Sequence, residues 1–149
     1  MTLVQRLSDR GAADVTLNEL EAKIGSTLPA DYCRFMSELN GGRPEPSGFQ
    51  FQTSDGISDS SIRYFLTLDE REKRYSVHQF LDRYRDRIPE LMLPVACDSF
   101  GNIVLLDVGA RSYGSLFFWD HEQENADEGT SSNIFVIAPS FTKFLELLE

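Results

Sequence analysis

Residues 28–42 read LPADYCRFMSELNGG and carry the clearest structural signal in the chain. Four apolar side chains recur there at helical spacing and would form one stripe facing a core, namely Tyr32, Phe35, Met36 and Leu39. Pro29 suits the first helical position, because the N–H that proline lacks would have no helical partner there. The Asn40-Gly41-Gly42 stretch then ends the helix, since glycine tolerates the left-handed backbone that such an end requires.

The residues before this helix also favour helical structure. Leu3, Val4 and Leu7 predict a short first turn. Thr16 and Glu19 match a T-x-x-E capping box, in which each side chain would accept an otherwise unpaired backbone N–H. A helix is expected to follow, with Leu17, Leu20 and Ile24 on one face and Gly25 as its end.

After Gly42 the pattern changes to short strands and two further helices. Strands are expected at residues 48–52, 61–68, 92–97, 102–107, 115–120 and 134–138, and a polar loop with an Asp55-Gly56 turn at residues 53–61. Helices are expected at residues 69–87, with Ser76 as a cap, and after Pro139-Ser140. This order predicts an α+β fold with N-terminal helices, a twisted, largely antiparallel sheet of about five to six strands, a central helix and a C-terminal helix. All of it fits a single domain spanning residues 1–149.

The charge balance is acidic. The chain has 14 Lys and Arg residues against 24 Asp and Glu residues, a formal net charge of −10. Residues 63–87 depart from this balance, with seven basic and five acidic residues. An acidic body repels phosphates, so direct nucleic-acid binding is disfavoured, whereas a basic protein partner would be attracted. The alternative is that the acidity only supports solubility.

The chemically reactive residues form no recognisable catalytic or metal-binding set. His78 and His121 lie in different elements, without three or four ligands at suitable spacing, so neither a metal nor a cofactor is expected. Cys33 and Cys97 lie in apolar segments, which favours buried thiols in a reducing cytoplasm, although a Cys–His nucleophilic pair stays an alternative. Residues 98–102, DSFGN, indicate a hairpin turn rather than a calcium loop. No apolar run reaches the ~20 residues of a membrane span.

Two features are candidates for a binding surface. The first is acidic, because residues 120–128 contain no Lys or Arg and two more acids lie near the Asp55-Gly56 turn. The candidate partner-binding residues are Asp55, Asp59, Asp120, Glu122, Glu124, Asp127 and Glu128. The alternative is a solvated loop with no partner. The second feature is Phe118, which would mark an interface if exposed and belong to the core if a helix covers it.

The stretch from residue 28 to residue 42 resembles a motif of the SUKH superfamily, the group related to a fungal cell-wall-assembly regulator. The matching residues are Leu28, Pro29, Tyr32, Phe35 and the closing Asn40-Gly41-Gly42. That pattern is an apolar residue before proline, an aromatic residue three positions after the proline, a bulky apolar residue three positions later, and Asn-Gly-Gly. Residues 93–102 are similar to the family's hairpin. Residues 119–122 and the helix at 141–148 are similar to later elements in the same order, so the resemblance spans residues 15–149.

The resemblance implies a Smi/Knr-like fold and a protein without chemistry of its own. Bacterial members of this superfamily are mostly immunity proteins that bind and neutralise a cognate polymorphic toxin, often a nuclease, and eukaryotic members resemble scaffolds or regulators. We therefore expect a cytoplasmic, non-enzymatic monomer or weak homodimer that binds a basic toxin and neither nucleic acid nor membrane. An intracellular regulatory or scaffold domain is the alternative. A cryptic enzyme or small-ligand binder would require a deep polar pocket containing His121 or Cys97 with a strongly perturbed pKa.

Overall fold

Four helices and nine strands make up the regular structure of residues 1–123 and 133–149, the part of the chain that the computed structural model describes. In chain order they are β1 (Thr2–Gln5), α1 (Asp14–Ile24), α2 (Ala30–Glu38), β2 (Arg43–Glu45), β3 (Gly48–Thr53), β4 (Gly56–Ser61), β5 (Tyr64–Phe65), α3 (Val77–Tyr84), β6 (Met92–Cys97), β7 (Ile103–Asp107), β8 (Leu116–Trp119), β9 (Ile134–Ala138) and α4 (Phe141–Leu147). A short 3-10 turn follows β8 at His121–Gln123.

The central sheet has five antiparallel strands in the order β5-β6-β7-β8-β9. Its register places Val104 of β7 opposite Phe118 of β8, and Phe118 opposite Phe135 of β9. Two smaller antiparallel pairs, β1-β2 and β3-β4, lie outside this sheet. The predicted α+β class with a largely antiparallel sheet of five to six strands is therefore confirmed.

Aromatic side chains cover both faces of the central sheet. On one face, Phe35 of α2 packs against Phe65 of β5 with 4.9 Å between the ring centroids, and α4 contributes further aromatic rings there. On the other face, Tyr84 of α3 meets Trp119 of β8 edge to face at 5.6 Å. Because side chains alternate along a strand, Phe118 points away from Trp119. The sheet is thus covered by helices on both sides.

Phe118 belongs to the core. It is buried, and it stacks on Phe51 of β3 with 4.4 Å between the centroids and 24° between the ring planes. Phe49, also on β3, lies 5.9 Å from the same ring. The core interpretation is confirmed, although the β3–β4 hairpin and not a helix provides the cover.

The helix at residues 28–42 has the predicted form. Tyr32, Phe35 and Met36 are buried on one face of α2. Pro29 stands one position earlier than expected, at the N-cap. The chain then reverses through left-handed backbone, with φ of 52° at Asn40 and 84° at Gly41. A Cβ at position 41 would lie 2.8 Å from two backbone carbonyl oxygens, so this approach requires glycine.

Two predictions near the N-terminus are wrong. Leu3 and its neighbours form strand β1, not a helical turn, because they pair with β2, where Leu3 lies opposite Pro44. The capping box is not formed, since α1 begins two residues before Thr16, and its N-cap Ala13 makes no side-chain bond. Gly25 ends α1 as predicted, with φ of 73°.

Two predictions in the middle of the chain are also corrected. Residues 56–61 are not a loop, because β4 pairs along its whole length with β3; backbone hydrogen bonds stabilise a strand whose side chains are mostly polar. The Asp55-Gly56 turn stands where predicted, between the two strands. The central helix begins only at Val77, after Ser76 accepts a hydrogen bond from the backbone N–H of Gln79. Between residues 69 and 76, side-chain hydrogen bonds to the backbone hold turns that compete with a helix.

Across residues 1–123 and 133–149, no helix is both long enough and apolar enough to cross a bilayer.

Candidate functional site

The hairpin loop between β6 and β7, residues 98–102, is organised by the buried carboxylate of Asp98. Its Oδ1 accepts the backbone N–H groups of Phe100 at 2.8 Å and Asn102 at 2.9 Å. Its Oδ2 accepts the Asn102 side-chain amide at 2.8 Å and the Ser60 hydroxyl of β4 at 3.0 Å. The carboxylate therefore holds the loop closed and joins it to β4. This confirms the turn interpretation of DSFGN.

The 3-10 turn after β8 contacts the same loop. The Asn102 side-chain oxygen accepts the backbone N–H of His121 at 3.1 Å, and the His121 Nε2 lies 2.6 Å from the carbonyl oxygen of Phe100. A Cβ at Gly101 would stand 2.9 Å from that Nε2. The loop and the turn therefore pack closely, and β4 and residues 120–123 are both attached to residues 98–102.

Three of the predicted partner-binding acids have exposed side chains whose carboxylates accept no hydrogen bond from residues 1–123 or 133–149. Asp55 lies at the tip of the β3–β4 hairpin, Asp59 lies on β4 beside Ser60, and Glu122 follows His121. We call Asp55, Asp59 and Glu122 the acidic edge. Asp59 and Glu122 are each adjacent in sequence to a residue that contacts loop 98–102, and the side chain of Asp59 points to the opposite face of β4 from that of Ser60. Asp55 stands four residues from Asp59, about 13 Å along the strand.

The other predicted acids behave differently. Asp120 is half-buried and caps the 3-10 turn, because its carboxylate accepts the backbone N–H of Glu122 at 2.9 Å and the Gln123 amide at 2.7 Å. Its side chain therefore has a structural role. Glu124, Asp127 and Glu128 lie outside the described residues, so their predicted role stays a prediction.

An arginine cleft borders loop 98–102. We use this name for Arg63, Arg74 and Arg83 together with the rings of Tyr75 and Tyr84, which line a cavity of about 280 Å³ with Asp98 and Asn102. The guanidinium carbons of Arg63 and Arg74 lie 5.7 and 5.3 Å from the Tyr75 ring centroid. The Arg83 guanidinium lies 5.7 Å from the ring of Phe80 and 6.0 Å from that of Tyr84. Such distances are those of cation–π contacts.

The basic excess of residues 63–87 is visible in the sequence, but the cleft is not. The available signal was the adjacency of arginine and tyrosine at positions 74–75 and 83–84. Arg87 extends the arrangement, with its guanidinium 5.1 Å from the Tyr84 ring and 5.3 Å from the Trp119 ring. The chain, whose net charge is −10, is therefore locally basic in the cleft that loop 98–102 lines.

The thiols do not form a nucleophilic pair within the described ranges. Neither Cys33 nor Cys97 makes a hydrogen bond to His78 or His121 there, and both cysteines are free. Burial raises the pKa of Cys97, which also lines the cleft, to about 11. Burial, followed by the charge of Glu21, also raises the pKa of Cys33. Both shifts lower the thiolate population at neutral pH, so they oppose nucleophilic chemistry.

Metal-binding chemistry has no support in the same residues. Within positions 1–123 and 133–149, no three His, Cys, Asp or Glu side chains come together as a possible metal site. His78 contacts Lys23, whose Nζ lies 3.2 Å from its Nδ1, and burial followed by this cation lowers the pKa of the imidazole. Within the described residues, therefore, the two histidines and two cysteines form neither a metal-ligand cluster nor a hydrogen-bonded Cys–His pair.

Comparison with known proteins agrees with this picture. A SUKH family model described as "SMI1-KNR4 cell-wall" matches residues 14–145. The chain belongs to the SUKH family. It is also 29% identical over 150 residues to the SPbeta prophage-derived uncharacterized protein YokK of Bacillus subtilis (strain 168), a match that covers 87% of this chain and 70% of the relative.

The residues that suggested the SUKH family have structural roles in this member. The Asn40 side-chain oxygen accepts the backbone N–H of Leu68 at 2.9 Å, and its amide donates to the Arg10 carbonyl at 3.4 Å. Tyr32 and Phe35 pack edge-on and tilted against Phe141 of α4 at 5.2 and 5.0 Å. The motif therefore connects α2 to distant elements and lies inside the protein, away from the acidic edge.

Proposed function

We propose that this SUKH protein is a non-catalytic protein-binding module, an immunity protein that binds and neutralises a cognate polymorphic toxin with a basic surface. The observation that carries the proposal is the acidic edge, three exposed carboxylates that accept no hydrogen bond from the described residues, in a family member of net charge −10. Carboxylates that are not used inside the protein keep their full capacity to pair with Lys and Arg of a partner. Glu124, Asp127 and Glu128 would extend this surface.

Electrostatics favours such a partner. A negative surface speeds the encounter with a positive one, and the effect weakens as salt screens the charges. A nuclease domain is one partner of suitable charge, because its substrate groove must attract phosphates. Two free cysteines support a reducing compartment such as the cytoplasm.

The test uses the purified toxin domain encoded beside the gene. We expect binding that weakens with salt, and protection of growth when the two proteins are co-expressed. Changing the acidic edge in the triple variant Asp55→Asn, Asp59→Asn, Glu122→Gln should weaken binding about 3- to 150-fold, since each of the three exposed ion pairs contributes roughly 0.2–1 kcal/mol.

A matched control removes the same number of negative charges elsewhere. Glu38, Glu70 and Glu90 are exposed and lie outside the acidic edge, and their replacement by Gln should change the affinity less than about twofold. Equal weakening by the two triple variants would show that only net charge matters. No association with the toxin domain at low salt would contradict the proposal.

A regulatory or scaffold domain is the second candidate, and the "cell-wall" description of the matching family favours it. This candidate predicts that affinity purification recovers the same endogenous proteins from cells that lack the toxin gene. Loss of those partners in the acidic-edge variant, together with no protection from the toxin, would replace the first candidate with the second.

A further inference from the structure

We propose that the arginine cleft is a second binding site, one that takes the carboxylates of a short acidic peptide segment on a protein partner. This inference is separate from the proposed function, which concerns the acidic edge and a basic partner surface. It concerns side chains that the family motif does not include.

The three arginines have hydrogen-bond donors that no carboxylate of the described residues accepts. None of Arg63, Arg74 and Arg83 forms an ion pair with a carboxylate of residues 1–123 or 133–149. A guanidinium stacked on a ring uses its face and keeps its N–H edge for another group. Asp98 lines the cleft, but its oxygens already accept four hydrogen bonds from the loop and from Ser60. The cleft therefore presents donors in excess of its own acceptors.

The aromatic supports are held in place before any ligand binds. Tyr75 stacks on Tyr64 with 4.2 Å between the centroids, and the Tyr64 hydroxyl donates to the Gln5 side chain at 2.9 Å. Phe80, which supports Arg83, is buried. Arginine side chains held against rigid rings lose less conformational entropy when a ligand binds. The three arginines therefore bind a ligand at a lower entropic cost than isolated surface arginines would.

The chemistry of the cleft favours carboxylates on a peptide over nucleic acid. Tyr75 already contacts Tyr64 and two guanidiniums, which leaves little ring area on which a base could stack. A net charge of −10 opposes a long polyanion but not a segment of a few residues. The guanidinium fork matches a planar carboxylate with two parallel N–H···O bonds. Arg63 and Arg74 contact the Tyr75 ring, whereas Arg83 contacts the rings of Phe80 and Tyr84. Because the guanidiniums lie against different rings, they can bind several carboxylates along one peptide segment at the same time.

The experiment titrates the full chain with the blocked peptide GEEGEEG and follows the arginine Nε–H signals by NMR. We expect saturable shifts of the Arg74 and Arg83 signals, and no saturable shifts with the glutamine peptide GQQGQQG. The double variant Arg74→Gln, Arg83→Gln should bind GEEGEEG about tenfold more weakly, because each exposed pair contributes up to about fivefold. The variant Arg74→Lys, Arg83→Lys keeps both positive charges but loses the paired N–H groups of the guanidinium. We expect its affinity for GEEGEEG to lie between those of the wild type and the glutamine variant.

The control variant is Arg34→Gln, Arg111→Gln, which makes the same change of net charge at exposed positions outside the cleft. Its affinity should stay within about twofold of the wild type. Equal weakening in the control, or unchanged binding in the cleft variant, would overturn the proposal. So would tighter saturation of the same signals by inorganic phosphate or by a short oligothymidine, since that would assign the cleft to phosphate. None of these titrations contains the toxin, so their outcome is independent of the immunity proposal.

Discussion

Replacement of Asp98 by alanine tests whether one buried carboxylate holds the surface around loop 98–102. Asp98 is 7% exposed, and its side chain accepts four hydrogen bonds at 2.8–3.0 Å. Two come from backbone N–H groups inside the loop, one from the Asn102 amide and one from Ser60. Alanine removes all four acceptor positions at once, so the loop loses both its internal closure and its connection to β4.

The size of the effect follows from these bonds. A typical hydrogen bond contributes about 0.5–1.5 kcal/mol net, and one to a charged group more. Ser99 and Phe100 are exposed, so water can reach the loop and accept some of the hydrogen bonds that Asp98 no longer accepts. We therefore expect Asp98→Ala to lower the free energy of unfolding by about 3 kcal/mol. With roughly 2.1 cal/mol/K of unfolding entropy per residue, this is a fall in Tm of about 10 °C for a chain of this length.

Urea unfolding followed by the fluorescence of Trp119 provides the assay. Trp119 is the one tryptophan of the sequence and is fully buried, so its emission reports loss of the core. Ser60→Ala removes a single one of the four bonds and should cost about 1 kcal/mol. Asp98→Asn keeps an oxygen for the backbone N–H groups and should fall between the two. If Asp98→Ala costs no more than Ser60→Ala, the carboxylate does not organise the loop and this account is wrong.

Three further predictions concern pH, thiol chemistry and backbone strain. The hydrogen bond from Arg71 holds the pKa of the Asp69 carboxyl well below its usual range. The ionised carboxylate therefore makes its whole contribution to the free energy of unfolding above about pH 5, and that contribution declines as the pH falls below ~4. Asp69→Asn should therefore cost about 1–2 kcal/mol at pH 7 in urea titrations and progressively less toward pH 2, and a cost that does not change with pH would contradict this. Cys97, with its pKa raised to about 11, should resist iodoacetamide at pH 8 in the native protein and react on unfolding in urea; equal rates by mass spectrometry in both states would be the contrary result. Gly41→Ala should cost more than about 3 kcal/mol in thermal unfolding, because its Cβ would lie 2.8 Å from backbone oxygens, while Gly25→Ala, with open space around it, should cost only about 1–2 kcal/mol; similar costs would show that the close contact relaxes.

Local patterns predicted those elements that are marked by an apolar stripe or by a continuous apolar run. The stripe of α2 recurs at helical spacing, and β6, β7 and β9 are short apolar runs, of which β6 and β7 are buried along nearly their whole length. Strands β1 and β4 lack such a stripe. Their stability comes from pairing with β2 and β3, and polar side chains on an exposed strand do not reveal that pairing.

The acidic edge was predictable in part. Asp55, Asp59 and Glu122 are exposed, and their carboxylates accept no hydrogen bond from residues 1–123 or 133–149, which is the condition their predicted role requires. Asp120 belongs to the same acidic run, yet its carboxylate caps the turn that follows β8. Composition counts a negative charge in both cases, but only the position of neighbouring N–H groups decides whether that charge is available to a partner.

Family membership, fold class and the overall acidity can all be read from the order and kinds of residues along this chain, because they depend on local periodicity, a short motif and a sum of charges. The arginine cleft and the Asp98 loop cannot. Ser60 and Asp98 are 38 positions apart, and Arg63 meets Tyr75 only because the sheet and the turns before α3 bring them together. Hydrogen bonds and ring contacts depend on distances of a few ångströms, which separation along the chain does not set, so the arginine cleft and the Asp98 loop become visible only in the folded protein.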